Sequence, residues 1–284
     1  MTKALRTLIA LAVVMATPVA IAADNEALFA PFQTLLERHL EETRLPGGGL
    51  VSAFDYPQAL QEPGTRSLLR EQANTLARFD PTELEGKAET VAFWINAYNY
   101  FMVRQILTEQ PDDELVSSVW DYGGRINPLR DNVFQRALFT VGGERYSLDQ
   151  IEKGILLGDD FEQKGWKEAR VHFAVNCAAV GCPPLRKTVY TARNLEPMLA
   201  DNTRLALKTP RHLDIDGSTL NVTSLFDWYR EDFEQEAGSV RQFIRRWTDA
   251  DTGDRANQTD RIGYIDYDWA LNRPQNFPEL GDGQ

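Results

Sequence analysis

The chain has 284 residues and a formal net charge of −12, with 43% hydrophobic and 10% aromatic residues. So acidic a chain argues against nucleic acid or an anionic membrane surface as partner, because either would call for a basic face. The charge favours solubility and carries no information about the fold.

The first 23 residues read as a secretory signal peptide: Lys3 and Arg6 form the positive region, Leu8 to Met15 the apolar core, and Ala20-Ile21-Ala22 the small-residue cleavage pattern. The apolar core is too short to span a bilayer, and no later segment is apolar for long enough to do so. No cysteine follows the cleavage region, which argues against a lipoprotein. The expectation is a mature chain that is periplasmic or secreted, with no stable membrane insertion. Cleavage removes two positive charges, Lys3 and Arg6, and takes the net charge from −12 to −14. Residues 24–284 hold no internal repeat and no long Gly/Ser linker, and about 260 residues suffice for one globular domain.

Asn25 to Arg44 reads as an amphipathic helix with Leu28, Phe32, Leu35, Leu36 and Leu40 on one stripe, ended by Pro46-Gly47-Gly48-Gly49. Leu50 to Tyr56 is a candidate strand. Thr65 to Phe79 repeats the helical pattern, and Asp80-Pro81-Thr82-Glu83 looks like the start of a further helix. Lys87 to Thr108 is apolar on nearly every side, the mark of a central buried helix. Asn96 and Asn99 lie three apart on it and so share a face. They either bond to neighbouring backbone and fix helix packing, or face a cleft and orient a ligand or catalytic group.

Gly123-Gly124 and Asn127-Pro128 mark loops. Ala137 to Val141 and a short return near Arg145-Tyr146 flank the tight turn Gly142-Gly143. Ser147 is placed to cap a helix running to Leu156, and Gly158-Asp159-Asp160 ends it. Val171 to Val175 reads as a short buried strand leading into a turn-rich segment. Thr191 to Leu207 is helical, with a late start or kink at Pro197. Asp216-Gly217 between Arg211–Ile215 and Thr219–Val222 is a strong hairpin signal. Thr223 to Phe233 and Val240 to Trp247 read as helices and Ile262 to Tyr267 as a last strand. The sum is an α+β pattern: a helix-rich single domain whose central buried helix packs on a small, mainly antiparallel sheet.

The chemistry concentrates between Arg170 and Arg186. The chain lacks a Gly-rich phosphate loop, a G-x-S-x-G elbow and an H-E-x-x-H motif. What remains is Cys, His, Asn and Glu. Cys177 and Cys182, the only cysteines, are separated by four residues that can close a disulfide, and in an oxidising compartment two cysteines usually pair. The competing reading makes Cys177 a nucleophile with His172 as its base or orienter, Asn176, Asn96 or Asn99 orienting the imidazole and Glu152 stabilising its charged form. On an extended strand the five-residue separation would put His172 and Cys177 on opposite faces, so the chain would have to bend near Asn176. A zinc site at His172, Cys177 and Cys182 lacks a fourth ligand and the usual C-x-x-C spacing, so no metal and no other cofactor is expected. His39 and His212 read as surface residues.

Five segments carry a resemblance: AFWINAYNYFMVRQIL from Ala92, YSLDQIEKGIL from Tyr146, RVHFAVNCAAVGCPPLR from Arg170, FDWYREDF from Phe226 and YDWALN from Tyr267. With them the chain resembles the family called domain of unknown function 547, over roughly residues 49–272. The resemblance implies an exported bacterial α+β domain without an established activity, distantly similar to papain-like thiol hydrolases. In a papain-like layout the cysteine opens the central helix, whereas here that helix carries Asn96 and Asn99. A histidine often follows the glutamate of the second segment, and here the position is Lys153. Two functional readings stand. One is a thiol-dependent hydrolase or transferase whose polar cleft holds Cys177, His172, Asn96 and Glu152, with Asn99, Asn176 and Arg186 binding the ligand. The other is a non-catalytic module for a small-molecule, peptide or thiol ligand, its loop shaped by a structural Cys177–Cys182 disulfide.

Overall fold

The computed structural model describes residues 25–123 and 131–281. The signal-peptide reading of residues 1–23 and the loop expected at Asn127-Pro128 lie outside the described residues.

Two short helices open the described chain, α1 (Asn25–Leu28) and α2 (Ala30–His39), the latter burying Phe32, Leu35 and Leu36. The sequence predicts a helix as far as Arg44, but Leu40–Arg44 is strand β1, paired antiparallel with β2 (Leu50–Phe54). Leu40 fits the helical stripe and the strand equally well. What decides is β2, buried along its whole length, which the turn at residues 45–49 brings alongside. Asp55 caps α3 (Tyr56–Gln61) by accepting from the Gln58 amide at 2.9 Å. Helix α4 (Thr65–Arg78) follows, and the Asp80–Glu83 start signal yields only a 3₁₀ turn, Pro81–Glu83.

Helix α5 (Lys87–Thr108) has the predicted limits and is buried continuously from Glu89 to Val103. Phe29 meets Phe93 at 5.6 Å, Tyr146 meets Trp94 at 5.3 Å, and Phe139 stacks on Phe101 at 4.6 Å. The last two contacts bring the hairpin β3 (Phe139–Val141) and β4 (Glu144–Tyr146) onto the helix. Each fully buried aromatic ring contributes roughly 1.5–3 kcal/mol, which makes α5 the centre of the larger core.

The Ser147 cap forms as predicted: its Oγ accepts from the Gln150 amide at 3.1 Å, and the Gln150 side chain accepts from the Ser147 amide at 2.8 Å. The segment Gln150–Leu156 winds as a π-helix. A Cβ at position 158 would stand 2.1 Å from the Gly154 carbonyl oxygen, so the end of this turn requires glycine. Short α6 (Asp159–Gln163) follows.

Val171 to Val175 is not a strand. Ala169–Phe173 forms a 3₁₀ turn, with all five residues buried. The segment lies between two cores: Val171 and Ala174 enter the larger one, Ala169 and Phe173 the smaller. A run buried on every side shows no period to tell strand from helical turn. The argument that strand alternation separates His172 from Cys177 therefore does not apply.

Helix α7 (Leu195–Ala206) starts late, with Pro197 tolerated in its first turn. Strands β5 (Leu213–Asp216) and β6 (Thr219–Thr223) form the predicted hairpin. The expected helix 223–233 breaks at Tyr229 into α8 (Leu225–Trp228) and α9 (Arg230–Ala237). Helix α10 (Val240–Trp247) is as read, α11 (Ala250–Gln258) was not anticipated, and β7 (Arg261–Ile265) joins β6 in parallel. A final short helix, α12 (Pro278–Gly281), closes the described chain.

The fold is thus α+β and helix-rich; among the described residues the strands are spread over two two-stranded sheets and one three-stranded sheet, antiparallel except for β6–β7. Among the described residues no helix is long and apolar enough to cross a membrane. Both histidines expected at the surface are buried. His39 lies among Gln58, Glu62 and Thr65, and His212 bonds to the Cys182 backbone. Their helix-end and hairpin positions gave no sign that later segments cover them.

Candidate functional site

The segment from Phe173 to Leu185 is held by asparagine side chains. Asn99 donates to the Ala174 carbonyl at 2.9 Å and accepts from the Asn176 amide at 2.8 Å. Asn96 grips the Tyr190 backbone in the same two-point way, at 2.7 and 2.8 Å. Asn202 on α7 donates to the carbonyls of Phe173 and Pro184. Asn176 accepts from the Ala178 amide at 2.9 Å and donates to the Pro183 carbonyl at 2.8 Å. Asn272 bonds to Asn176 through its side chain and to the Ala178 carbonyl through its amide. A buried amide left without partners costs about 1–3 kcal/mol, and a two-point grip on backbone avoids that cost while fixing the chain.

This clamp presents the loop to a cavity of about 400 Å³. Glu152 and Lys153 reach it from the π-helix, His172 from the 3₁₀ turn, Cys177 from the loop and Tyr98 from α5. The C-terminal part of the chain supplies the opposite wall: Trp228, Tyr229, Tyr267 and Trp269. Tyr267 packs against Trp269 at 4.7 Å and Trp228 at 4.8 Å, and Trp120 meets Trp269 edge-on at 5.0 Å. Gly181 lets this wall approach, since a Cβ there would stand 3.0 Å from the Tyr267 ring and the Asp268 amide nitrogen.

The polar end of the cavity is a short chain of groups. His172 Nε2 donates to Asp232 at 2.8 Å, and Lys167 pairs with the same carboxylate at 2.9 Å. Burial raises the Asp232 pKa, but the hydrogen bonds from His172 and Lys167 outweigh it and hold the carboxyl below its usual range. The imidazole stacks on Tyr229 with ring centroids 3.9 Å apart. His172 is only 2% exposed, yet among the described residues its Nδ1 has no hydrogen-bond partner, and the nearest carboxylate oxygen, on Glu152, is 4.0 Å away. Glu152, itself 7% exposed, accepts a hydrogen bond from the Tyr229 hydroxyl. Tyr98, Tyr229 and Tyr267 all have raised pKa values, first because they are buried and next because Glu152 is close, so all three remain protonated near one carboxyl group, to which Tyr229 donates.

Cys177 and Cys182 form a disulfide, and among the described residues no cluster of three or more His, Cys, Asp or Glu side chains is arranged to hold a metal. Of the residues singled out from the sequence, Cys177, His172 and Glu152 meet in the cavity lining. Asn96, Asn99 and Asn176 stand behind it, committed to the bonds described above. Arg186 lies apart and pairs with Glu42 at 3.3 Å and Asp201 at 3.0 Å. Sequence reasoning missed Asp232 and the aromatic wall. Both lie in FDWYREDF and YDWALN, whose density of Trp and Tyr in so acidic a chain was the available signal.

No curated protein and no solved structure matches the chain. A family model does match residues 81–205, a narrower span than the resemblance over 49–272 suggests. The matched span carries Tyr98, Glu152, His172 and the disulfide, while Asp232 and the C-terminal aromatic wall lie beyond it. Over that span the chain is similar to the family described as protein of unknown function, DUF547.

Proposed function

We propose that the cavity binds a small molecule or peptide side chain that presents a cationic amine on a flat, apolar body. The observation that carries this reading is the buried His172 Nδ1, without a partner among the described residues, beside the Glu152 carboxylate in the cavity lining. A buried polar atom left open costs about 1–3 kcal/mol, and a ligand group that bonds to it recovers that cost. The charges select the ligand. Lys153 is paired with Asp149 at 2.9 Å, which leaves Glu152 as the charge open to an incoming group. The tryptophan and tyrosine faces suit an aromatic body and attract a cation.

This is the binding-module reading. A thiol-dependent hydrolase or transferase needs a free Cys177 thiolate, and the disulfide counts against that; the distant papain-like relationship has no further support here. We also take the protein to be exported, periplasmic or secreted and of bacterial origin. The pattern of Lys3, Arg6, the apolar core and Ala20-Ile21-Ala22 supports export, and the family resemblance supports the origin.

Titration with benzylamine, benzyl alcohol and phenylacetate, followed by tryptophan fluorescence, tests the reading, since Trp120, Trp228 and Trp269 line the cavity. Benzylamine is expected to bind and phenylacetate not to. Glu152→Gln should weaken benzylamine by about tenfold or more, the worth of one charge-assisted hydrogen bond. Equal affinity for all three probes, or full affinity in Glu152→Gln, would overturn it.

A further inference from the structure

We propose that the Cys177–Cys182 disulfide is exchange-active: a thiolate entering the cavity attacks Cys177 Sγ and expels Cys182 as a thiolate into a site already built to hold one. The two sulfurs have unlike surroundings. Cys177 lines the cavity, whereas Cys182 lies behind it, 6% exposed. Two backbone donors converge on Cys182 Sγ, the Cys177 amide at 3.1 Å and the Ala179 amide at 3.4 Å, and the Tyr267 hydroxyl, 3.2 Å from either sulfur, can turn to it as a third. A disulfide sulfur is a weak acceptor and gains little from three donors. A thiolate is a strong one, and paired backbone amides in a tight turn are a recurrent anion-binding arrangement.

The backbone is held in the form this requires. Ala178, between the two donor amides, has φ of 59°, a left-handed conformation that alanine adopts at a cost. Asn176 and Asn272 hold it there from either side. The same bonds argue against a mere staple. The disulfide spans a sequence separation of five, the short-loop end where cross-linking stabilises least. The loop is fixed without it, by Asn99, Asn202, Asn272 and the backbone bonds of Val180 to Ala270 and Gly181 to Asp268. Breaking the S–S bond therefore leaves the donors in place.

The chemistry balances with thiols alone. The attacking thiolate forms a new S–S bond to Cys177, and the electron pair of the old bond departs on Cys182. A second thiolate then attacks the outer sulfur of the mixed disulfide and releases Cys177. Two thiols become one disulfide, and their two protons end on the protein dithiol or in solvent. The inference does not rest on amine binding, since it needs only access to Cys177, and its assay reads sulfur chemistry rather than ligand affinity.

The test treats the non-reduced full chain, without denaturant, with millimolar reduced glutathione near neutral pH, and follows acid-quenched samples by peptide mass spectrometry. Glutathione is expected on Cys177 and not on Cys182. Tyr267→Phe, checked for folding by circular dichroism, should slow adduct formation by about tenfold or more through loss of one donor to the leaving thiolate. In Cys182→Ser, glutathione disulfide should leave a lasting adduct on Cys177. A wild-type disulfide that stays intact until denaturant is added, glutathione found on Cys182, or undiminished exchange in folded Tyr267→Phe would each overturn the proposal.

Discussion

Alanine at position 178 is a compromise whose terms can be weighed. Its left-handed backbone costs roughly 1–2 kcal/mol. Its methyl group is buried in the larger core, worth about 0.8 kcal/mol, and glycine would bring a further 0.5–1 kcal/mol of unfolded-state entropy. The opposing terms nearly cancel, so Ala178→Gly should leave the unfolding free energy from urea denaturation within about 1 kcal/mol of wild type. Ala178→Val, a branched side chain in the same conformation and a packed surrounding, should lower stability by about 2 kcal/mol or more. At this scale the candidate site was half legible. Cys177 and His172 could be chosen because their residue types are rare in the chain, and Glu152 because it lies in YSLDQIEKGIL, a segment that carries the family resemblance. Asp232 could not, being one of 42 acidic residues, set apart only by the imidazole that reaches it across 60 positions.

Among the elements, α5 has the closest bearing on the loop, through Asn99. Asn99→Ala would strand the Ala174 carbonyl and the Asn176 amide in the interior and should cost roughly 2–5 kcal/mol, read from chemical denaturation. Asn99→Asp keeps an acceptor for Asn176, and when protonated its O–H can take the amide's place as donor to Ala174, so it should then fall between alanine and wild type. The limits of α5 were readable because a helix apolar all round needs no partner to explain it. The β5–β6 hairpin was readable from Asp216-Gly217. Strand β1 and the 3₁₀ turn Ala169–Phe173 were not, because each takes its conformation from a distant neighbour: β2 in one case, two cores in the other. The π-helix at Gln150–Leu156 was visible only as a helix, since one extra residue in a turn leaves the apolar pattern almost unchanged.

For the molecule as a whole, acid is the revealing stress. Burial, and then the nearby Arg211 charge, push the His212 pKa down to about 3, while its hydrogen bond to the Cys182 backbone opposes them weakly. The native state keeps this imidazole neutral and the unfolded chain protonates it near 6.5, so between those values the unfolded state binds more protons. Stability should therefore fall as pH drops from about 6.5 towards 3, by on the order of a few kcal/mol in all. Asp232, with its lowered pKa, contributes stability above the unfolded carboxylate range and loses it only at the acid end. The upper part of the window thus reports on His212. Urea midpoints of His212→Gln between about pH 6.5 and 5 should vary less with pH than those of wild type.

The cavity draws its two walls from parts of the chain made at different times. Tyr98, Glu152, His172 and Cys177 emerge early, whereas Trp228, Tyr229, Tyr267 and Trp269, with Asn272 that pins the loop, come near the end. During synthesis the helical core around α5 can assemble, and the two cysteines can meet, before the aromatic wall exists. Tyr267 arrives after both sulfurs, and brings a hydroxyl that stands 3.2 Å from each. The nascent chain thus passes through a stage in which both sulfurs are open to any thiol or oxidant in their surroundings, and residues 261–272 end that stage by completing the wall, leaving Cys177 to be reached through the cavity.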